Sequence, residues 1–305
     1  MFSFKKPVFH EAVSQLDDGR TLTANGFWKG FEATTAFPFI CDLFEKHTTK
    51  QHLRILGPFW KQRDQKLVQK KFTEFGAWDY SIYTENKDNP THLARKNIGY
   101  RSPNSETEIR FPYWCNYLTW KGYETTPPYD RFGKRLSIEQ LSKSINESFG
   151  ELTRSEFDQR SKRAVLMTSH LKKHRRRLKN NVGAAIGCDA FGRKINPTPL
   201  SKIELLPQYL FNLCPENGLG QGYITEKIPE SFIAGCVPIT YCDPNDLALD
   251  FNPKAVINLC GLAPKEITEQ LRQIAQDYDE FNKLRSEPLL IKQPELQPLI
   301  SFLKS

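Results

Sequence analysis

Several things are missing from this 305-residue chain, and each absence narrows the reading. The seven cysteines are scattered, no two of them have C-x-x-C spacing, and the six histidines form no cluster beside them. A structural zinc module needs such a ligand set. We therefore expect reduced, semi-buried thiols of the kind a cytosolic protein carries. No continuous apolar segment follows Met1, Phe2 and Ser3, so neither a secretory signal nor a membrane-spanning helix is expected. The expectation is a soluble, cytoplasmic protein, at most peripheral to a membrane. There is no internal repeat and no low-complexity tract, which excludes solenoids and disordered linkers. No Ser/His/Asp arrangement is readable, and no convincing D-x-D motif is present.

What remains is rich in core material. Hydrophobic residues make up 39%, including 21 Phe, 11 Tyr and 5 Trp, which is enough for a packed interior. The length suits two domains of ordinary size or one large one. The formal net charge of +8 favours an anionic partner: nucleic acid, a membrane surface or a phosphorylated ligand.

The first half is aromatic-rich and irregular. Residues 39–46 read as a short helix. Residues 53–57 read as a strand that ends in a turn. Residues 78–83 alternate as a strand and stop at a polar loop from Thr84 to Pro90. Residues 137–163 look like a connector with one or two surface helices, so a domain boundary is expected near Gln159. Beyond it, strands over residues 163–169, 209–214 and 237–241 alternate with helices over 174–182, 226–234 and 265–278. Such alternation predicts a parallel sheet covered on both faces. Ligands then sit outside the carboxyl ends of the strands.

The segment from Phe211 to Ile239 carries the chemistry. An apolar strand enters a loop with Gly218, Gly220 and Gly222, where backbone can approach a ligand closely. The loop feeds a helix with Thr225 as its expected N-cap and Gly235 as its stop. A glycine-rich loop before a helix N-terminus is an anion site. Lys227 in the first turn opposes the helix dipole by about a few tenths of a kcal/mol, and a bound diphosphate would reverse that sign. Glu226 can accept hydrogen bonds from ribose hydroxyls. A capped helix with both side chains solvated is the plainer alternative.

Taken together, Phe211, Leu213, Cys214, Glu216, Asn217, Gly222, Tyr223, Thr225, Glu226, Lys227, Ile228, Gly235, Val237, Pro238 and Ile239 resemble, in order, the donor-binding signature of the α-1,3/4-fucosyltransferases, glycosyltransferase family 10. That signature reads roughly F-x-L-C-F-E-N-S, then G-Y-V-T-E-K-I, then G-x-V-P-I. Ser169 with His174-Arg175 resembles the family's strand-to-helix segment, and Asp189 to Arg193 resembles its D-x-(F/Y)-G-R segment. Tyr83-Thr84-Glu85-Asn86 resembles the Y-T-G-E-N segment of bacterial members, and Phe251-Asn252-Pro253 fits the C-terminal part. The resemblance is strong over about residues 165–257 and faint before residue 78.

The resemblance implies an α/β protein of two Rossmann-like domains facing across a cleft, the GT-B type. Residues 1–158 would bind the acceptor and residues 159–305 would bind GDP-fucose. It implies inverting transfer of fucose from GDP-fucose to an N-acetylglucosamine-type hydroxyl of a glycan. Arg175 and Lys227 would hold the diphosphate, and Glu226 the ribose. Asn217 and Tyr223 would line the fucose and phosphate pocket. Glu216 would orient the loop or the sugar, and competes with Glu85 for the general-base role that the resemblance gives to Glu85. Such a base contributes typically about 10²–10⁴-fold. Departing GDP develops negative charge that Arg175, Lys227 and the helix N-terminus can stabilise, so no metal is required for the chemistry, although a divalent ion could stimulate it. Trp28 could offer an acceptor platform or simply belong to a core.

Departures from the family pattern bear on the acceptor and the base more than on the donor. Pro215 replaces an aromatic, Gly218 replaces Ser, Thr84-Glu85 lacks an intervening Gly, and Tyr241-Cys242-Asp243 replaces an aromatic-Gly pair. Two other functions stay in view: transfer of another GDP-hexose or to another acceptor, and nucleic-acid binding by the basic run 172–179. Most such runs are solvated helix faces, and only Arg175 has motif support, with Arg176 as a substitute if the register shifts by one.

Overall fold

The computed structural model describes residues 12–16, 19–27, 36–60, 65–82, 93–123, 132, 134–160, 163–218 and 220–305. The chain divides into two compact units: residues 1–127 with 295–305, and residues 128–294. The division falls at Pro127–Pro128, about thirty residues before the boundary expected near Gln159. The reason lies in the segment read as a connector. It holds three short helices whose apolar residues Leu141, Ile145 and Phe157 are fully buried in the second unit.

The first unit is built on six strands in sequential order: β1 (Ala12–Gln15), β2 (Thr21–Asn25), β3 (His52–Leu56), β4 (Trp78–Ile82), β5 (Ala94–Gly99) and β6 (Glu108–Arg110). β1 pairs antiparallel with β2, and the other neighbours are parallel. Helices α1 (Ala36–His47) and α2 (Gln65–Phe75) connect β2 to β3 and β3 to β4. One core cluster joins Leu56, Trp60, Val68, Trp78 and Leu93. The helix Gln297–Lys304 returns to this unit. Its backbone carbonyls accept hydrogen bonds from Tyr80 Oη (3.2 Å, at Leu303) and Lys96 Nζ (2.7 Å, at Phe302).

The second unit opens with α3 (Ile138–Leu141), α4 (Ile145–Phe149) and α5 (Arg154–Gln159). Ser144 with Glu147 and Thr153 with Glu156 form capping boxes at the last two, which fixes helices of only five and six residues. The sheet then follows: β7 (Ala164–Met167), α6 (Lys173–Ile186), β8 (Cys188–Phe191), α7 (Lys202–Leu205), β9 (Phe211–Leu213), α8 (Lys227–Ile233), β10 (Val237–Thr240), α9 (Pro244–Asp250), β11 (Ile257–Asn258), α10 (Pro264–Gln276) and α11 (Tyr278–Arg285). All five strands are parallel, in the order β11-β10-β9-β7-β8. Their buried Val165, Leu166, Phe211, Leu213, Val237 and Ile239 explain the continuous apolar runs that a doubly covered sheet demands.

This order has a consequence for function. The chain leaves β7 for β8 on one side and returns to β9 on the other. The crevice between the carboxyl ends of β7 and β9 is therefore the topological switch point, where open α/β sheets bind ligands. Gly235, at φ +83°, ends α8 and turns the chain into β10. Buried Arg285 holds that turn, donating to the carbonyls of Gly235 (3.0 Å) and Gly150 (3.2 Å) and to Asn146 Oδ1 (2.9 Å). Burial lowers its pKa to about 10.

Candidate active site

Arg175 lies on the third residue of α6, in line with Leu178 and Val182 on the face turned to the sheet. Only 4% of it is exposed. The run 172–179 therefore splits: Arg175 points inward, while Lys172, Lys173, Arg176 and Arg177 are exposed. The guanidinium spans the switch point. Its NH1 donates to Thr168 Oγ1 (2.6 Å) and the His170 carbonyl (3.3 Å), both in the loop after β7. Its Nε donates to the Glu216 carbonyl (3.3 Å) and its NH2 to Asn217 Oδ1, both in the loop after β9. His174 Nε2 meets the same Glu216 carbonyl at 3.0 Å. The N-terminus of α6 has no side-chain cap, since Lys172 occupies the N-cap position.

Glu216 is as buried as Arg175 and organises the glycine loop. Its carboxylate accepts from the Thr225 amide (2.8 Å), from the Thr225 hydroxyl (2.9 and 3.0 Å to its two oxygens) and from Lys227 Nζ (2.7 Å). The Thr225 hydroxyl is thus engaged with Glu216, and Thr225 does not cap the helix as expected. Glu226 is the N-cap, with helical backbone and no side-chain cap bond. Among the described residues, Glu216 has the arrangement of a loop-orienting carboxylate.

Lys227 begins α8, where a cation opposes the dipole. The structure compensates it with Glu216 and with Glu226 at 3.7 Å. Burial works against the ammonium form, but the two carboxylates outweigh it and raise the pKa. Arg175 acts on Lys227 in the opposite sense, so the two cations lie within electrostatic range of one another. Burial also opposes ionisation of Glu226, yet Lys227 and Lys202 hold its pKa below the ordinary value.

The expected donor residues therefore gather at one place. Arg175, Glu216, Asn217, Glu226 and Lys227 are linked by the bonds above, whereas Tyr223 is buried at 2% exposure just upstream. Gly222, at φ +68°, donates its amide to Asp246 Oδ2 (2.6 Å), which ties the loop to α9. Glu85 and Trp28 lie outside the described residues. Sequence reasoning missed Thr168, Asp246 and Lys202. Lys202 forms an ion pair with Glu230, a residue of only 2% exposure one turn after Glu226. Burial pushes Glu230 up to about 7 despite that partner. These three residues lie outside the 211–239 segment, and only their tertiary contacts tie them to it.

Residues 157–285 match the family model described as glycosyltransferase family 10 (fucosyltransferase), C-terminal. That match lies within the second unit and spans less than half of the chain. A curated relative, alpha-(1,3)-fucosyltransferase FucT of Helicobacter pylori, is 48% identical over 59 residues, which is 19% of this chain and only 12% of that protein. Two solved structures are similar over the whole fold. An α1,3-fucosyltransferase crystal structure aligns with a TM-score of 0.65 at 17% identity, covering 96% of this chain and 92% of the other. A second, described with GDP-fucose, aligns at 0.56 and 18%, covering 88% and 96%. At that identity they establish fold: two Rossmann-like α/β units of the GT-B class, as expected.

Among the described residues, no helix is long and apolar enough to cross a membrane. All seven cysteines are free thiols.

Proposed function

We propose that this protein transfers fucose from GDP-fucose to a hydroxyl of an N-acetylglucosamine-type acceptor, with inversion, as an α-1,3-fucosyltransferase. One observation carries the reading: at the β7/β9 switch point, Arg175 is bonded to Asn217 while Lys227 and Glu226 begin the next helix. In this reading Arg175 and Lys227 hold the diphosphate, Glu226 takes the ribose, and Asn217 and Tyr223 line the pocket. The second unit is then the donor domain and the first the acceptor domain. Glu85 is the base that removes the acceptor proton, and Trp28 supports the acceptor.

The chemistry follows from charge. As the glycosidic bond to GDP breaks, charge accumulates on the diphosphate. Two fixed cations stabilise it without reorganising, which is where preorganised sites gain most. Glu216 does not touch the reacting atoms in this scheme; it holds the Thr225–Lys227 segment in place. The residues present fit a step that needs no resident metal, and no stage is assigned to one.

The test is product formation from GDP-fucose and lactosamine, run beside thermal melts with GDP, GDP-fucose and GDP-mannose. Ligand at about 100 times its Kd adds roughly 2.7 kcal/mol, worth about 5–10 °C in Tm. Transfer supports the full reading. A GDP-fucose shift without transfer keeps the donor and rejects the acceptor. No shift with any GDP-sugar overturns both.

A further inference from the structure

Tyr241-Cys242-Asp243 departs from the family pattern just past the carboxyl end of β10, and the donor reading assigns its thiol no role. β10 and β11 run parallel, with Thr240 opposite Asn258 as their last pair. One more bond follows, from the Leu259 amide to the Thr240 carbonyl (2.9 Å). Two residues beyond the last pair, one chain reaches Cys242 and the other reaches Cys260. The side chain of Asn258 ties them together. Its Oδ1 accepts from the Cys242 amide (3.3 Å) and from the Cys260 amide (3.1 Å), and its Nδ2 donates to the Cys242 carbonyl (2.9 Å). Two amide nitrogens on one oxygen atom keep the backbones close where the strands part. Neighbouring strands are about 4.8 Å apart, and disulfides join residues whose Cα atoms are roughly 4.4–6.8 Å apart.

Both thiols are free and half-buried. Of the other five, Cys41, Cys115, Cys214 and Cys236 are buried, and Cys188 lies on β8, the opposite edge of the sheet from β11. Burial pushes the Cys242 thiol up to about 12; Glu216, Cys260 and Asp246 act in the same sense, and a hydrogen bond with Thr240 acts against it. Cys242 is thus within electrostatic range of Cys260 and of the carboxylate that organises the glycine loop. A second path leads to that loop through the backbone. Asp243 caps α9, accepting from the amides of Asn245 (2.8 Å) and Asp246 (3.4 Å). Asp246 in turn accepts from the Gly222 amide (2.6 Å).

We propose that Cys242 and Cys260 are a reversible oxidation site, closing to an intramolecular disulfide across the ends of β10 and β11, and that this bond weakens donor binding. The oxidant is a small disulfide of the glutathione type. The Cys260 thiolate attacks one of its sulfurs, and the other half leaves as a thiolate and takes up the proton that Cys260 gave up. Cys242 then gives up its proton and attacks the Cys260 sulfur, and the second half leaves in the same way. Two protein thiols and one small disulfide become one protein disulfide and two small thiols. Cys260 reacts first because burial keeps Cys242 as the thiol, and the thiolate is the nucleophile. Drawing the sulfurs to bonding distance, about 2.05 Å, moves the chain ahead of Asp243 and loosens the hold of Asp246 on Gly222. The oxidation site stands apart from the donor reading; only its effect on GDP-fucose rests on that reading.

The experiment incubates the full chain with glutathione disulfide or with dithiothreitol, then digests it and maps the peptides by mass. In the wild type, oxidation should yield a cross-linked pair of peptides holding residues 242 and 260, lighter by two hydrogens than the reduced pair. Dithiothreitol should reverse it. Kd for GDP-fucose should rise threefold or more on oxidation and return on reduction. Cys242→Ser and Cys260→Ser should each abolish the cross-link and the change in Kd, while keeping the Kd of the reduced wild type. Cys188→Ser should respond as the wild type does. Tm checks the folding of each variant, and the wild-type peptide map depends on none of them. A wild type in which both cysteines stay reduced, or carry glutathione singly, overturns the proposal. So does a bond from either one to a different cysteine. The cross-link with an unaltered Kd overturns the coupling to the donor loop. Failure of the reduced wild type to bind GDP-fucose is a separate outcome: it defeats the donor reading, and the peptide map still decides the oxidation site.

Discussion

Replacing Lys227 by Met tests whether one side chain does two jobs. Lys227 Nζ lies 2.7 Å from a Glu216 carboxylate whose side chain is 3% exposed. Removing the cation leaves that carboxylate buried with, among the described residues, only the Thr225 amide and hydroxyl as donors. Breaking a buried pair from one side costs about 3–5 kcal/mol. At about 2–4 °C per kcal/mol, Tm should fall by roughly 6–20 °C. Glu216→Gln should cost less, because Lys227 is 18% exposed and can be hydrated. The double variant Glu216→Gln/Lys227→Met no longer strands a charge at residue 216. It should therefore be more stable than Lys227→Met alone, with a coupling of about 2 kcal/mol or more in the cycle. Urea unfolding of the four proteins at pH 7 measures this. The pH window is safe. A lysine with a raised pKa contributes fully below its unfolded value of 10.5, and the contribution is lost only as pH climbs beyond that. Ligand binding separates the second job. The double variant should recover stability but not GDP affinity. Additive stability losses would refute the buried-pair argument, and normal GDP affinity in the double variant would refute the diphosphate role.

Glu230 is held protonated by burial up to about 7, against an ordinary value of 4.5. A carboxyl raised in this way contributes stability below pH 4.5 that is lost as pH rises through 7, on the order of 3 kcal/mol in all. Glu230→Gln should flatten the stability profile between pH 5 and 8, and an unchanged slope in urea titrations would contradict the assignment. Arg175→Lys keeps the charge but not the fork that reaches Thr168, His170, Glu216 and Asn217. It should cost about 1–3 kcal/mol and raise KM for GDP-fucose tenfold or more, whereas a wild-type KM would show that any cation suffices. Gly192→Ala drives a methyl into the Thr168 carbonyl. A loss of about 1–3 kcal/mol in Tm-based stability is expected, and an unperturbed Tm would mean that the loops after β7 and β8 are not packed against each other.

The sequence disclosed the second unit better than the first, for physical reasons. Strands such as Phe211–Leu213 and Val237–Thr240 are buried on both faces, so they appear as plain apolar runs beside glycine and proline. β2, β5 and β6 are different: Thr21–Asn25, Ala94–Gly99 and Glu108–Arg110 are polar or charged at half or more of their positions. The helix Gln65–Phe75 buries only Val68, so it carries little periodicity. The stretch expected as a connector with one or two surface helices carries three, each too short for a period, although the Ser144/Glu147 and Thr153/Glu156 boxes were visible signals. Within the site, Glu216 and Lys227 were legible because they sit in a contiguous motif, and Arg175 because it lies in a second family-like segment upstream. Lys202 and Asp246 were not, because only the tertiary fold brings them to Glu230 and Gly222.

The return of residues 295–305 to the first unit bears on how the chain comes to be folded during synthesis. Domains generally fold as they emerge, the earlier one first. Here residues 128–294 are complete before the segment that finishes the first unit has been made. Leu299 and Leu303 are buried there, and the carbonyls of Phe302 and Leu303 accept from Lys96 and Tyr80. The earlier-made unit is thus the later one to close, and until it does, the surface destined for that helix is open to chaperones or proteases.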